Sequence, residues 1–344
     1  MMDVEYVLPL RWAADDPAEL ADLTGYLGGL CGEVAVTVVD GSPPAVFAAH
    51  AAAWRDLPVR HLPPDADLDF AMGKVNGVWT ALRRPGPERA VIADDDVRWP
   101  LPALRTAVGL LEGADVVRPQ NVFVPAPWHA RWDTGRTLLN RAVAADWPGT
   151  LAVRRSALAR AGGYDGDALF ENLELVRAVQ AVGGTERPVL DLYVPRRPPT
   201  AAHFRGQRVR QAYDSLAQPG RLAVELALLP AAALALAGGR PGALLGGALA
   251  AAGLAEVGRR RAGGAAVFPA DAALWAPLWL AERAVCSWLA VGARLRGGVP
   301  YRDRRLPLAA HSPRRLRRRA APGGAGSGGS LAVADRPELA AAGS

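Results

Sequence analysis

The chain has 344 residues, half of them apolar and only 6% aromatic, with 40 Lys and Arg against 34 Asp and Glu for a formal charge of +6. That length admits one large domain or two smaller ones, and two cysteines in unrelated contexts, Cys31 and Cys286, exclude a disulfide framework or metal knuckle and fit a reducing compartment. The surplus positive charge gathers in 259–261, 302–305 and 314–319 without interleaved aromatic residues, which points to a membrane surface or anionic polymer and argues against nucleic acid as a partner.

The start, MMDVEYVLPLRW, has no basic stretch followed by an apolar one, so the first domain is expected to stay in the cytoplasm. Apolar runs at 4–10, 34–41, 58–62 and 89–96 read as strands, and the stretches 17–30, 46–54 and 70–82 between them read as helices. This alternation predicts an α/β fold with a mostly parallel sheet covered on both faces, and ligands then bind outside the carboxyl ends of the strands. Asp40 closes one such strand and Asp94, Asp95 and Asp96 close another. Three adjacent carboxylates repel one another unless a cation or donor network stabilises them. The plain alternative is a solvated turn.

The segment 118–141 mixes Pro, aromatic and polar residues and reads as loop or lid. Trp128, Trp132 and Trp147 offer rings for stacking on a sugar or lipid, or simply belong to the core. Helical periodicity returns at 154–163, which ends in a Gly pair, and at 170–184, which begins with acids.

Beyond Gly220 the composition shifts. The apolar runs 221–239 and 241–258, joined by GGRPG, read either as a membrane hairpin or as buried core helices. If the pair crosses and returns, Arg259, Arg260 and Arg261 fall on the side of the first domain, as the positive-inside rule requires. The Trp-rich stretch 268–293 carries Asp271, Glu282 and Arg283 and reads as a helix lying in the interface. The division expected is 1–218 as the nucleotide-binding domain, 219–298 as apolar hairpin plus interfacial helix, and 299–344 as a basic disordered tail.

Over roughly 4–215 the order of motifs resembles the family 2 glycosyltransferases of the GT-A fold, in particular the membrane-attached members that extend sugars on lipids or polysaccharides. VTVVDGS is similar to the family's second-strand motif, GKVNGVWTAL to its Gly-Lys helix start, ADDDV to its metal-binding DxD, FENLELVRAVQAVGG to its acidic helix and HFRGQRVRQAYDS to its terminal Gln-x-x-Arg-Trp motif. The resemblance implies a Rossmann-like, mostly parallel sheet flanked by helices, followed by an apolar helical membrane-associated region. It implies a nucleotide-sugar donor held by Asp40 at the base, by Lys74, Asp94 and Asp95, and by Gln207 and Arg210 of the last motif, where Gln211 replaces the Trp. It implies Mg²⁺ or Mn²⁺ on Asp94 and Asp96, with His203 reaching the metal or diphosphate.

In the acidic helix the family has a Glu-Asp pair whose carboxylate takes the acceptor proton, and Asn172 stands in place of that Asp. An amide accepts no proton, so Glu171 is the expected base, with Glu174 beside it at helical spacing raising its pKa. Both are also ordinary acids for a helix N-terminus. The activity implied is metal-dependent, inverting sugar transfer to a lipid-linked or cell-envelope polysaccharide acceptor at the cell membrane, with the catalytic domain on the cytoplasmic side. The alternative is a catalytically silent membrane-bound nucleotide-sugar-binding protein.

Overall fold

A computed structural model describes residues 1–302 and 304–321. The chain opens β1 (Glu5–Leu10), α1 (Pro17–Cys31), β2 (Ala35–Asp40), α2 (Pro44–Ala53), β3 (Val59–Leu62), α3 (Gly73–Leu82), β4 (Arg89–Ala93), α4 (Leu101–Leu110), close to the alternation read from the sequence. It continues β5 (Val116–Phe123), α5 (Trp128–Val143), β6 (Thr150–Arg154), α6 (Arg155–Arg160), α7 (Glu171–Ala181), β7 (Glu186–Arg196), α8 (Ala201–Gly206) and α9 (Arg208–Tyr213). The strands form one sheet in the order β3-β2-β1-β4-β6-β5-β7, parallel throughout except for β6, which runs against both its neighbours.

The strands are apolar on both faces because helices cover both. Val7, Ala90, Ile92, Leu151 and Val153 pack on one side with α3, α6 and α7. Tyr6, Leu8, Val36, Val38, Val91 and Ala152 face the other with α1 and α4. Alternate side chains of a strand point to opposite faces, so each run feeds two cores. Asp16 caps α1 by accepting from the amides of Ala18 and Glu19, and Leu23, Leu27 and Leu30 line its buried face. Gly77 lets α3 lie against β1, where a Cβ would come within 2.8 Å of Pro9 Cβ.

The segment 118–141 is not a loop. It forms most of β5 and most of α5, and the reason it escapes periodicity is that the buried face of α5 is polar. His129, Asp133, Thr134, Thr137 and Arg141 are all buried there at helical spacing. Asp133 meets Arg208 at 3.1 Å, and Arg141 donates to the carbonyl of Leu190 at 2.8 Å and to the Tyr193 hydroxyl at 2.7 Å.

After α9 come α10 (Pro219–Ala237), α11 (Pro241–Arg260) and α12 (Ala276–Leu295). The first two apolar segments, Pro219–Ala237 and Pro241–Ala266, are long and apolar enough to cross a membrane, and only 6% and 17% of them is buried, so they are not core helices of this fold. Leu229, Leu234, Leu236, Leu244, Leu245 and Leu249 all stand exposed. The hairpin packs on the rest of the chain through the start of α10 and the second half of α11, where Ala251, Ala255 and Gly258 are buried. Buried Glu225 accepts from Ser287 and Arg221, and Gly258 of α11 lies so close to α5 that a Cβ would overlap the carbonyl oxygen of Leu138. One face of α12 buries Trp279, Arg283 and Ser287, while Leu278, Val285, Trp288, Leu289 and Leu295 face outward.

The last segment departs from expectation. Residues 299–302 and 304–321 do not trail away but form β8 (Val299–Tyr301), β9 (Arg304–Leu306) and α13 (Pro313–Ala320), which strap back onto the first domain. Leu169 and Phe170 donate their amides to the carbonyls of Leu308 and Ala309 at 2.9 and 2.8 Å, the Tyr213 hydroxyl donates to that of Pro307, and Leu306 and Ala309 join the core. The rest of the expected tail, 322–344, lies outside the described residues.

Candidate active site

Two carboxylate clusters form at the carboxyl ends of the parallel strands. At the end of β2, Asp40 is 1% exposed and both its oxygens are engaged. Oδ1 accepts from the Ser42 amide at 2.9 Å, while Oδ2 meets His50 Nδ1 at 2.6 Å and His61 Nε2 at 3.1 Å. Burial alone would raise its pKa, but the hydrogen bonds from His61, Ser42 and His50 outweigh that and hold it at about 2. Rings close the cluster: His50 stacks on Trp54, His61 stacks on Phe47 at 4.2 Å, and Trp12 meets His50 edge-on. Asp40, expected to touch a nucleotide base, therefore presents no free oxygen, and half-buried His61 is the polar group at that edge.

At the end of β4 the three aspartates diverge. Asp94 Oδ1 pairs with Lys74 Nζ at 2.7 Å, Asp96 Oδ2 with Arg196 Nε at 2.7 Å, and Asp95 Oδ2 accepts from Trp12 Nε1 at 2.8 Å. A second Arg196 nitrogen reaches Asp94 Oδ2 at 3.4 Å, so this guanidinium spans the DxD pair. Lys74, the second residue of α3, also meets Glu171 Oε1 at 3.0 Å. Burial would lower the pKa of both cations, but the carboxylates around them win and hold both above their ordinary values. Burial pushes the Asp96 carboxyl up, with Arg196 opposing and Asp94 reinforcing the rise, and Asp96 Oδ1 is buried without a partner.

These side chains line two cavities that share Arg196 and Gln211. The outer one, about 260 Å³, holds Asp96, His203, Gln207 and Arg210. The inner one, about 180 Å³, holds Asp94, Glu171, Asn172, Trp147, Asp214 and Arg221. Lys74, Asp94, Asp96, Glu171, His203, Gln207 and Arg210 are thus brought to one region. His203 Nε2 lies 3.1 Å from Gln207 Nε2, and Arg210 stacks on Tyr301 at 4.5 Å. His203 does not converge with Asp94 and Asp96 on one point: among the described residues, the only three such groups with ligand atoms within 4.8 Å of one another are Asp40, His50 and His61.

The acidic helix splits. Glu171 faces the inner cavity, but Glu174 does not stand beside it there. Glu174 is fully buried, accepts from the His311 amide at 2.7 Å and meets His311 Nδ1 at 2.8 Å, so the strap claims it. Asn172 donates to the Pro148 carbonyl at 2.8 Å and its oxygen faces Lys74 at 3.4 Å. Trp147 lines the inner cavity with Arg118 against its ring at 4.1 Å, whereas Trp128 and Trp132 cluster on Phe204.

Arg196 and Asp214 are the residues that motif reading missed. Arg196 ends β7, a strand the sequence reading did not assign, and its signal was the unmet need of three aspartates for a counter-charge. Asp214 lies within the stretch of the last motif, three positions beyond Gln211, and burial, reinforced by Glu171, pushes it up to about 7.

No protein-family model matches the chain, and no curated protein matches it. Among solved structures it is similar to a mannosyltransferase from Pyrobaculum calidifontis in complex with GDP-Man and Mn²⁺, at 19% identity over 83% of this chain and 87% of that one, with a TM-score of 0.46. It is also similar to the mannosyl-3-phosphoglycerate synthase of Rubrobacter xylanophilus, at 17% identity over 63% and 75% of the two chains and a TM-score of 0.39. The TarS protein of S. aureus gives 14% identity over 63% of this chain and 42% of that one, with a TM-score of 0.42.

Proposed function

We propose that the chain is a metal-dependent, inverting glycosyltransferase that moves a sugar from a nucleotide-sugar donor to a lipid-linked or cell-envelope polysaccharide acceptor. The observation that carries this reading is the DxD pair, whose Asp94 and Asp96 line two adjoining cavities, with Arg196 spanning the pair and Lys74 on Asp94 Oδ1. Carboxylates so placed have hard oxygens for Mg²⁺ or Mn²⁺, and the unpartnered Asp96 Oδ1 is a free donor atom. Asp94 and Asp96 would hold the ion, which offsets the charge of the leaving diphosphate when bound. Arg196 and Lys74 lie beside the same site and would contribute charge for phosphate oxygens, with Lys74 keeping its contact to Glu171, a role to which guanidinium and ammonium groups are suited. Gln207 and Arg210 flank the same outer cavity, with His203 beside them as a further polar contact for the diphosphate.

Calorimetric titration of the full chain with UDP- and GDP-sugars, with and without Mn²⁺, tests the assignment. Metal-dependent binding that disappears in Asp94→Asn/Asp96→Asn is expected. Absence of binding across the panel overturns it.

A second reading has a specific observation behind it. Asn172 is locked by Pro148 and offers no proton acceptor, which suits a nucleotide-sugar-binding protein without turnover. The two readings separate on whether bound donor is consumed.

Attachment to the cell membrane through α10 and α11, with the outward face of α12 along the interface, is part of the same proposal. The support is the exposed leucines of the hairpin together with Arg259, Arg260 and Arg261 at its base, on the side of the catalytic domain, which is then cytoplasmic. Flotation with vesicles that survives high salt is the expected result, since apolar insertion is not screened. Release by salt alone would remove the hairpin from the membrane.

A further inference from the structure

We propose that Asp214, and not Glu171, takes the proton of the acceptor hydroxyl; this assignment rests on the transferase reading above. Asp214 opens the short turn Asp214–Ala217 between α9 and α10 and lines the inner cavity with Glu171, Asn172 and Trp147. The other acids there are already committed. Asp94 is held by Lys74 and Arg196, and Glu171 by Lys74. Asn172 has no acidic group, and Glu174 belongs to His311. By contrast, Asp214 Oδ1 is buried with no hydrogen-bond partner, while the residue keeps an accessible edge on the cavity.

A carboxylate bound to an ammonium is a weak base, because protonation must first give up that contact. A buried, unpartnered carboxylate gains by taking a proton. The groups facing Asp214 are Glu171 from α7, Arg210 from α9, Arg283 from α12 and Arg136 from α5, with Asp94, Arg196 and Arg221 around the cavity. Burial comes first in raising its pKa, Glu171 adds to it, and the arginines hold the rise to about 7, where a base is half available at neutral pH. In the transfer step the acceptor oxygen bonds to the sugar's anomeric carbon as its proton passes to the Asp214 carboxylate. The bond from that carbon to the diphosphate oxygen breaks, and its electron pair leaves with the diphosphate.

Two measurements on the full chain in detergent decide it. The first needs no substrate. An Asp whose folded pKa lies above its unfolded one costs stability as pH rises from the unfolded value through the folded one, and the cost is complete above the folded value. Asp214→Asn should therefore melt several degrees above the parent protein at pH 8, with the gap narrowing below pH 7 and closing near pH 4. A gap that does not change with pH overturns the proposal.

The second is turnover of GDP-mannose or UDP-glucose in the presence of Mn²⁺, followed as sugar release with water as the acceptor and compared with Glu171→Gln. Asp214→Asn should lower kcat about a hundredfold with donor affinity unchanged, and should lose the acid limb near pH 7. Glu171→Gln should keep that limb. If donor is consumed and Asp214→Asn retains both rate and limb, Asp214 is not the base although the transferase reading stands. If no donor binds, or bound donor is not consumed, the transferase reading fails and the assignment falls with it.

Discussion

The clusters at the ends of β2 and β4 are made of the same residue type at equivalent ends of parallel strands, yet they have opposite characters. Asp40 is saturated by two histidines and an amide and walled in by Trp12, Phe47 and Trp54, so its charge serves the fold. Asp94 and Asp96 are partly accessible and neutralised by the ends of two long, flexible cations, which can leave. A carboxylate is available to a ligand when its partners can move away and unavailable when they are packed rings. Trp12 touches both clusters, with its ring against His50 and its Nε1 on Asp95.

The largest effect that sharpens this contrast is in the open cluster. Asp94→Asn/Asp96→Asn should weaken Mn²⁺-dependent nucleotide-sugar binding by about a hundredfold or more, read by calorimetry. Its unfolding midpoint should fall rather than rise, because Lys74 and Arg196 lose their partners and that loss outweighs the relief of the repulsion between Asp94 and Asp96.

The next effect falls on the closed cluster. Asp40→Asn should cost about 2 kcal/mol in urea unfolding at pH 7, from a folded value near 2 against an ordinary 3.8. A depressed carboxyl contributes stability above its unfolded pKa and loses it as pH falls through the folded one. The difference between parent and variant should therefore shrink from pH 4 to pH 2. No loss at neutral pH would mean the cluster is as loose as its neighbour.

A smaller change tests whether the cations are placeholders. Arg196→Gln should bind Mn²⁺ alone about fivefold more tightly, since a competing charge is gone, and weaker metal binding would make Arg196 part of the metal site instead. The smallest effect joins the two clusters. Trp12→Phe keeps the ring against His50 but drops the bond to Asp95, and should cost under about 1 kcal/mol, read as a small shift in urea midpoint.

The first four strands and three helices were legible because their apolar runs are bounded by turns and match the two periodicities. The second half was less so. In α5 the buried face carries Asp133, Thr137 and Arg141, so burial and hydrophobicity part company and no apolar stripe exists to be seen. Lys74, Asp94 and Asp96 were legible as a set because their motifs are local in sequence. Arg196 was not, since its partners lie about a hundred positions away. Glu174 has the spacing for the same face as Glu171, but no sequence pattern ties it to His311, and a histidine reaching it from 137 positions away decides where it points.

The strap also sets an order in time. Ribosomes make chains from the first residue onward, so Glu174 and the backbone of Leu169 and Phe170 emerge well before the residues that satisfy them at 308–311. Between the two lie all of α10, α11 and α12. The sheet and its aspartates can assemble early, but the acidic helix waits with a buried carboxylate unmatched until the apolar hairpin has been made and has found its place. Anchoring of Phe170, which lines the cavity with Glu171 and Asp214, is thereby scheduled after the hairpin, and a nascent chain stalled before residue 299 holds every lining residue without the strap that fixes this one.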